Sequence, residues 1–257
     1  MPRLVQRGGD DRQGVGWPRG VSKAGEGQMF EGWGSFVAAM LVFFLSHLIP
    51  ARPGLRAVLV RGMGHAGYGT VYGLISLAVL TWVIVAAGRA PVVVLWDQAL
   101  WQRWVANGAM GLAVLLASFA VAAVNPFSFG GRRSGFAPEH PGIAGVCRHP
   151  LLLALLIWAL AHLLVNGDLA HALVFGPFAG FAALGMLVID RRNRRLWGAA
   201  EWARLTARTS LLPFAALVQR RWRPVAALSL LRLGVGLLVW VGLLGLHPIV
   251  IGISPLP

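Results

Sequence analysis

Residues 151–189 constrain this chain more than any other stretch. Residues 151–165 are almost wholly apolar, Asn166, Gly167 and Asp168 interrupt them, and residues 169–189 are apolar again up to a basic cluster that begins at Arg191. Two apolar runs, a short polar turn and a charged stop predict a membrane helical hairpin. His162 sits inside the first arm. An ionisable side chain is costly in hydrocarbon, so it faces protein, water or a ligand. Trp158, His162 and Asn166 recur every fourth residue and share a helix face. That face reads either as the wall of a buried pocket, with His162 as a metal or haem ligand, or as a histidine hydrogen-bonded to a neighbouring helix.

The whole chain has the same character. Its 257 residues are 57% hydrophobic and only 12% charged, where a soluble domain carries about 25% charged residues. Mean hydropathy is +0.68. These values predict an all-α polytopic membrane bundle of about six transmembrane helices, with one domain over 29–257 behind a disordered tail, 1–28. Net charge is +14, but the arginines mostly lie between apolar spans. There they act as topology signals and contacts to anionic lipid, so no nucleic-acid partner is expected. Cys147 is the one cysteine, which excludes an internal disulfide and a CxxC metal site.

Taken in order, the tail lacks the apolar core of a signal peptide, and Met29 stands just before the first span. That span covers about residues 33–49, with Phe36, Met40, Phe43 and Phe44 on or near the face of His47. Pro50 and Pro53 end it. Residues 62–67 match GxGxxG, yet no strand precedes them and a membrane span follows, so they read as a flexible turn with His65 solvated. A second span is expected over about 68–87 and a third over about 104–124, closed by Asn125-Pro126. Between them Trp96 and Trp101 mark an interface, into which residues 92–95 dip. Arg148-His149 precedes Pro150 at the mouth of the fourth span. A pre-proline residue avoids helical geometry and proline suits a first helical position. The pair reads either as a phosphate contact or as an anion clamp at a helix N-terminus.

Asp168 is the expected N-cap of the fifth span, and Gly176 and Gly180 form a GxxxG that allows close backbone contact. Nine arginines stand against Glu201 between residues 191 and 223, interleaved with Trp197 and Trp202. This predicts a basic amphipathic helix on the membrane surface. The last span covers about 225–246, with Arg232 able to snorkel and His247-Pro248 following it. Arginine-rich odd loops belong in the cytoplasm by the positive-inside rule. Both termini then lie outside. The basic tail opposes that placement, and a start at Met29 removes the conflict.

Several short pieces in order carry a family resemblance: Ser46-His47, Arg148-His149-Pro150, residues 157–162, Asp190-Arg191-Arg192, Trp197-Gly198, residues 208–216, His247-Pro248 and residues 252–254. On these the chain resembles the NnrU family of bacterial membrane proteins over about residues 41–254. It is also similar to their plant and cyanobacterial relative, 15-cis-ζ-carotene isomerase. The resemblance implies a bacterial inner-membrane protein associated with denitrification and nitrogen-oxide metabolism. It implies haem b held by axial histidines at His47 and His162, with Trp158 as apolar wall. His149, nearer His47 in depth by topology, is the substitute ligand. A hydrophobic small molecule or nitric oxide is the implied partner. Haem-dependent cis–trans isomerisation of a carotenoid is the alternative activity. Ala159 stands where the plant relative has a cysteine, so ligand switching by a thiol is not available. Two further alternatives are a non-enzymatic assembly factor and a small membrane methyltransferase, for which Glu201 is the available acidic partner.

Overall fold

The computed structural model describes residues 23–50, 52–224 and 229–257. Among these residues the chain is all-helical: α1 Lys23–Leu48, α2 Pro53–Arg89, α3 Leu100–Ala120, α4 Ile143–Val146, α5 Pro150–Val165, α6 Leu169–Trp197, α7 Ala199–Thr206, α8 Ala215–Val218 and α9 Leu230–Val250. Four helices, α2, α3, α6 and α9, are long and apolar enough to cross a membrane, and Gly32–Leu48 and Pro150–Val165 are shorter apolar helices. This is a helical membrane bundle, as its hydropathy requires. Most of the stretch read as a tail lies outside the described residues, and α1 begins within it, at Lys23.

The chain divides into two compact units, residues 1–91 and 92–257. In the first, α1 packs on α2, burying Phe36, Ala39 and Val83. The segment read as a flexible turn falls within α2, and the chain does break there. Its two helical segments meet at Gly64, where φ is 71° and ψ 168°. That backbone is open to glycine and strained for any L side chain. Apolar residues such as Leu55 and Val58 carry the helix down to Pro53. His65 is exposed.

In the second unit α3 packs on α5 and α9, and α5 packs on α6. The hairpin forms as expected. α5 begins at Pro150 in the first turn and ends at Val165. Asp168 caps α6, accepting from the His171 main-chain N–H at 3.1 Å. The link is held from outside as well. Leu95 N–H donates to Gly167 O at 2.7 Å, and Leu169 N–H to Val93 O at 2.9 Å. So residues 92–95 pair with the hairpin turn. A Cβ on Gly167 would collide with the Trp96 carbonyl, which is why the turn needs glycine.

Three expectations are corrected here. Residues 191–197 continue α6, and Gly198 (φ 79°) breaks the chain before α7, so no single amphipathic helix runs to residue 223. The last helix runs on through His247-Pro248 to Val250; residues 225–228, at its expected start, lie outside the described residues. Arg232 lies in the first turn of α9. Its guanidinium donates to the carbonyls of Ser118, Phe119 and Val121 at 2.7–3.0 Å, satisfying the orphan acceptors at the end of α3. Close helix contact falls elsewhere than the GxxxG. Gly176 and Gly180 have open space, whereas Gly236 faces Leu115 and Ser118, and Gly111 faces the Trp240 ring.

Candidate functional site

Two polar clusters interrupt the apolar interior of the second unit, one at each end of α5. The first is built around Arg148-His149. Backbone contacts set this dipeptide before any side chain acts. Arg148 N–H donates to Ser210 O at 2.9 Å, and Asn125 Nδ2 donates to Arg148 O at 3.0 Å. Asp190, near the far end of α6, then accepts from Arg148 Nε at 3.0 Å and Nη2 at 2.6 Å. It also accepts from His149 Nε2 at 2.8 Å. Arg148 Nη1 donates to Thr209 Oγ1 at 3.3 Å, and the guanidinium lies over Trp202 at 5.5 Å.

The anion that Arg148 and His149 clamp is therefore the chain's own carboxylate. His149 is fully buried. A carboxylate only accepts, so Nε2 carries the proton, and Nδ1 is buried without a partner. Next to it, burial pushes the Cys147 thiol up, and Sγ donates to Leu211 O at 3.3 Å. Glu201 is held by Arg204 in two 2.7 Å bonds; that hydrogen bond holds its carboxyl below the usual range.

The second cluster surrounds His162. A cavity of about 230 Å³ opens here, lined by the start of α3, the ends of α5 and α9, and residues 253–255. His162 Nδ1 lies 2.8 Å from Trp158 O. A carbonyl only accepts, so Nδ1 carries the proton and the neutral ring's lone pair is on Nε2. Asn166 Nδ2 caps His162 O at 2.7 Å. Trp158 and Phe175 pack against the imidazole with ring centroids 5.2 and 5.0 Å away, the two lie 5.3 Å from each other, and Phe178 stacks on Trp158 at 5.8 Å. Trp158 thus supports His162 from the protein side and is not among the residues that line the cavity. Ala159 is fully buried.

His47 belongs to the first unit. Its arrangement repeats that of His162: Nδ1 is 2.7 Å from Phe43 O, and the Phe43 ring lies 4.2 Å away. Tyr72 contributes an edge contact at 5.8 Å. Of the residues singled out from the sequence, Trp158 and His162 come together, and His149 sits at the opposite end of α5, on Asp190.

The structure adds three residues that the sequence reading left without a role. Asp190 stands just before a basic cluster, and Asn125 lies where the third span was expected to close, beyond the end of α3 at Ala120. His247 lines the same cavity as His162. The sequence reading places it just after the last span, whereas it lies within α9.

Fold and site together define a helical integral membrane protein with a histidine-bearing pocket at one end of α5 and a buried Arg–His–Asp clamp at the other. The family model NnrU, "NnrU protein", matches residues 35–255, and the chain belongs to the NnrU family. No curated protein and no solved structure matches it.

Proposed function

We propose that this NnrU-family membrane protein binds haem b through His162 and works in nitrogen-oxide metabolism, the setting that the family resemblance implies. The observation that carries the haem reading is the state of the imidazole. His162 donates Nδ1–H to a main-chain carbonyl, which leaves Nε2 as the donor for iron. Metal-bound histidines are held by such outer bonds. An aromatic shell behind the ring supplies the apolar surroundings that tune a haem. His47, the other ligand the resemblance implies, has the same carbonyl bond and a ring beside it.

The donor chemistry fits iron. The volume, about 230 Å³, is below the roughly 300–1,000 Å³ of small-molecule sites, so a tetrapyrrole would reach outside the cavity walls. When bound, haem supplies redox and diatomic-ligand chemistry at iron; the chain supplies the imidazole, its orientation and the dry shell. The test is an absorption spectrum of detergent-purified protein expressed with haem supplementation. A Soret band lost in His162→Ala is the expected result. Its absence from the wild type removes the proposal.

A further inference from the structure

The His162 cavity holds a second imidazole in the same state. His247, in the last turns of α9, lies with Nδ1 2.7 Å from Ile253 O. The carbonyl accepts, so this ring too presents a bare Nε2 when neutral. Its partner carbonyl belongs to the segment that follows α9. That segment is pinned over the cavity, with Asn107 Nδ2 donating to Pro255 O at 2.8 Å and Arg103 Nη1 to Leu256 O at 3.3 Å. Both histidines therefore have their tautomers set by backbone, from two helices that line one space.

We infer that His162 and His247 together ligate one transition-metal centre through their Nε2 atoms. The inference rests on the reading of His162 as a metal ligand and names the second protein ligand from within the cavity. The lining residues favour this class of ligand. No carboxylate is among them, which disfavours calcium and magnesium, and imidazoles suit iron, copper and zinc. Two sources share this chemistry, a bare ion and a haem iron. Arg103 on the wall, and the Trp240 indole N–H, which is buried without a partner, suit a centre that brings its own acceptor groups.

The test uses full-length protein in detergent, stripped with chelator and titrated in parallel with Cu²⁺ and with hemin. Electron paramagnetic resonance then counts coupled imidazole nitrogens or reports the ferric spin state. The expected result is two coupled nitrogens on copper, or a low-spin bis-imidazole haem. His247→Gln retains a donor for the Ile253 carbonyl. It is expected to weaken binding by at least about tenfold, since even outer partners of a ligand cost that much. Free imidazole restores the signal in His247→Gly. In the wild type, metal shields both His162 and His247 from diethyl pyrocarbonate, mapped by mass spectrometry; this readout needs no variant.

Low-spin haem that persists in His247→Gln but is lost in His47→Ala overturns the inference and leaves the haem reading standing. Copper bound by the pair with no hemin uptake upholds the inference and removes the haem reading. A wild type that takes up neither, or metal that leaves His247 unshielded, overturns it.

Discussion

Asp190 answers Arg148 on one oxygen and His149 on the other, and both it and Arg148 are largely buried, at 12% and 14% exposure. Removing one partner of such a set leaves the others charged or polar without compensation. Asp190→Asn is therefore expected to cost about 3 kcal/mol, read as a lowered thermal midpoint in detergent. Glu201→Gln breaks a solvated pair and leaves that midpoint in place. Cys147 gives a second check at this scale. Its thiol is fully buried and pushed up by that burial, so little thiolate forms near neutral pH. Iodoacetamide should label the native protein slowly and the SDS-unfolded protein at once; fast native labelling would contradict the packing around α4.

Among the helices, glycine has two distinct roles that composition does not separate. At Gly167 a Cβ would meet the Trp96 carbonyl, a backbone atom unable to rotate away. Gly167→Ala should cost about 2 kcal/mol, in the range for overpacking, and loosen the pairing of residues 92–95 with the hairpin turn. Gly176 and Gly180 face open space. Their alanine variants should be neutral or more stable by about 0.5–1 kcal/mol each through helix propensity. Thermal midpoints of the three variants measured together decide the point. A large loss at Gly176 would mean that the GxxxG face packs against another chain.

Across the whole molecule, apolar side chains turn outward along α2 and α9; Leu230, Leu231 and Ile249 are 77–79% exposed. Such surface belongs in lipid. Positive-inside counting predicts that the loop at residue 139 and the loop at residue 92 lie on opposite sides of the membrane, the former cytoplasmic. Val92→Cys and Glu139→Cys, labelled in intact cells with a membrane-impermeant maleimide, should react from opposite faces. Cys147, being buried, leaves the background low. Labelling of both from one face would overturn this topology.

Much of this was legible in the linear chain. The length and hydropathy of each run, the Asp168 cap, the proline at the start of α5 and the face of His162 depend on residues within a turn or two of one another, and local periodicity reports those directly. The bilayer adds a length requirement that also reads off the sequence. What the chain order could not supply is which helix presents what to which. Asp190 meets Arg148 and His149 because α6 folds back along α5. His247 reaches the His162 cavity because α9 extends past its expected end and packs on α3, which also packs on α5. Those pairings follow from the rotation and depth of packed helices, which side-chain shape decides in three dimensions and no one-dimensional pattern encodes.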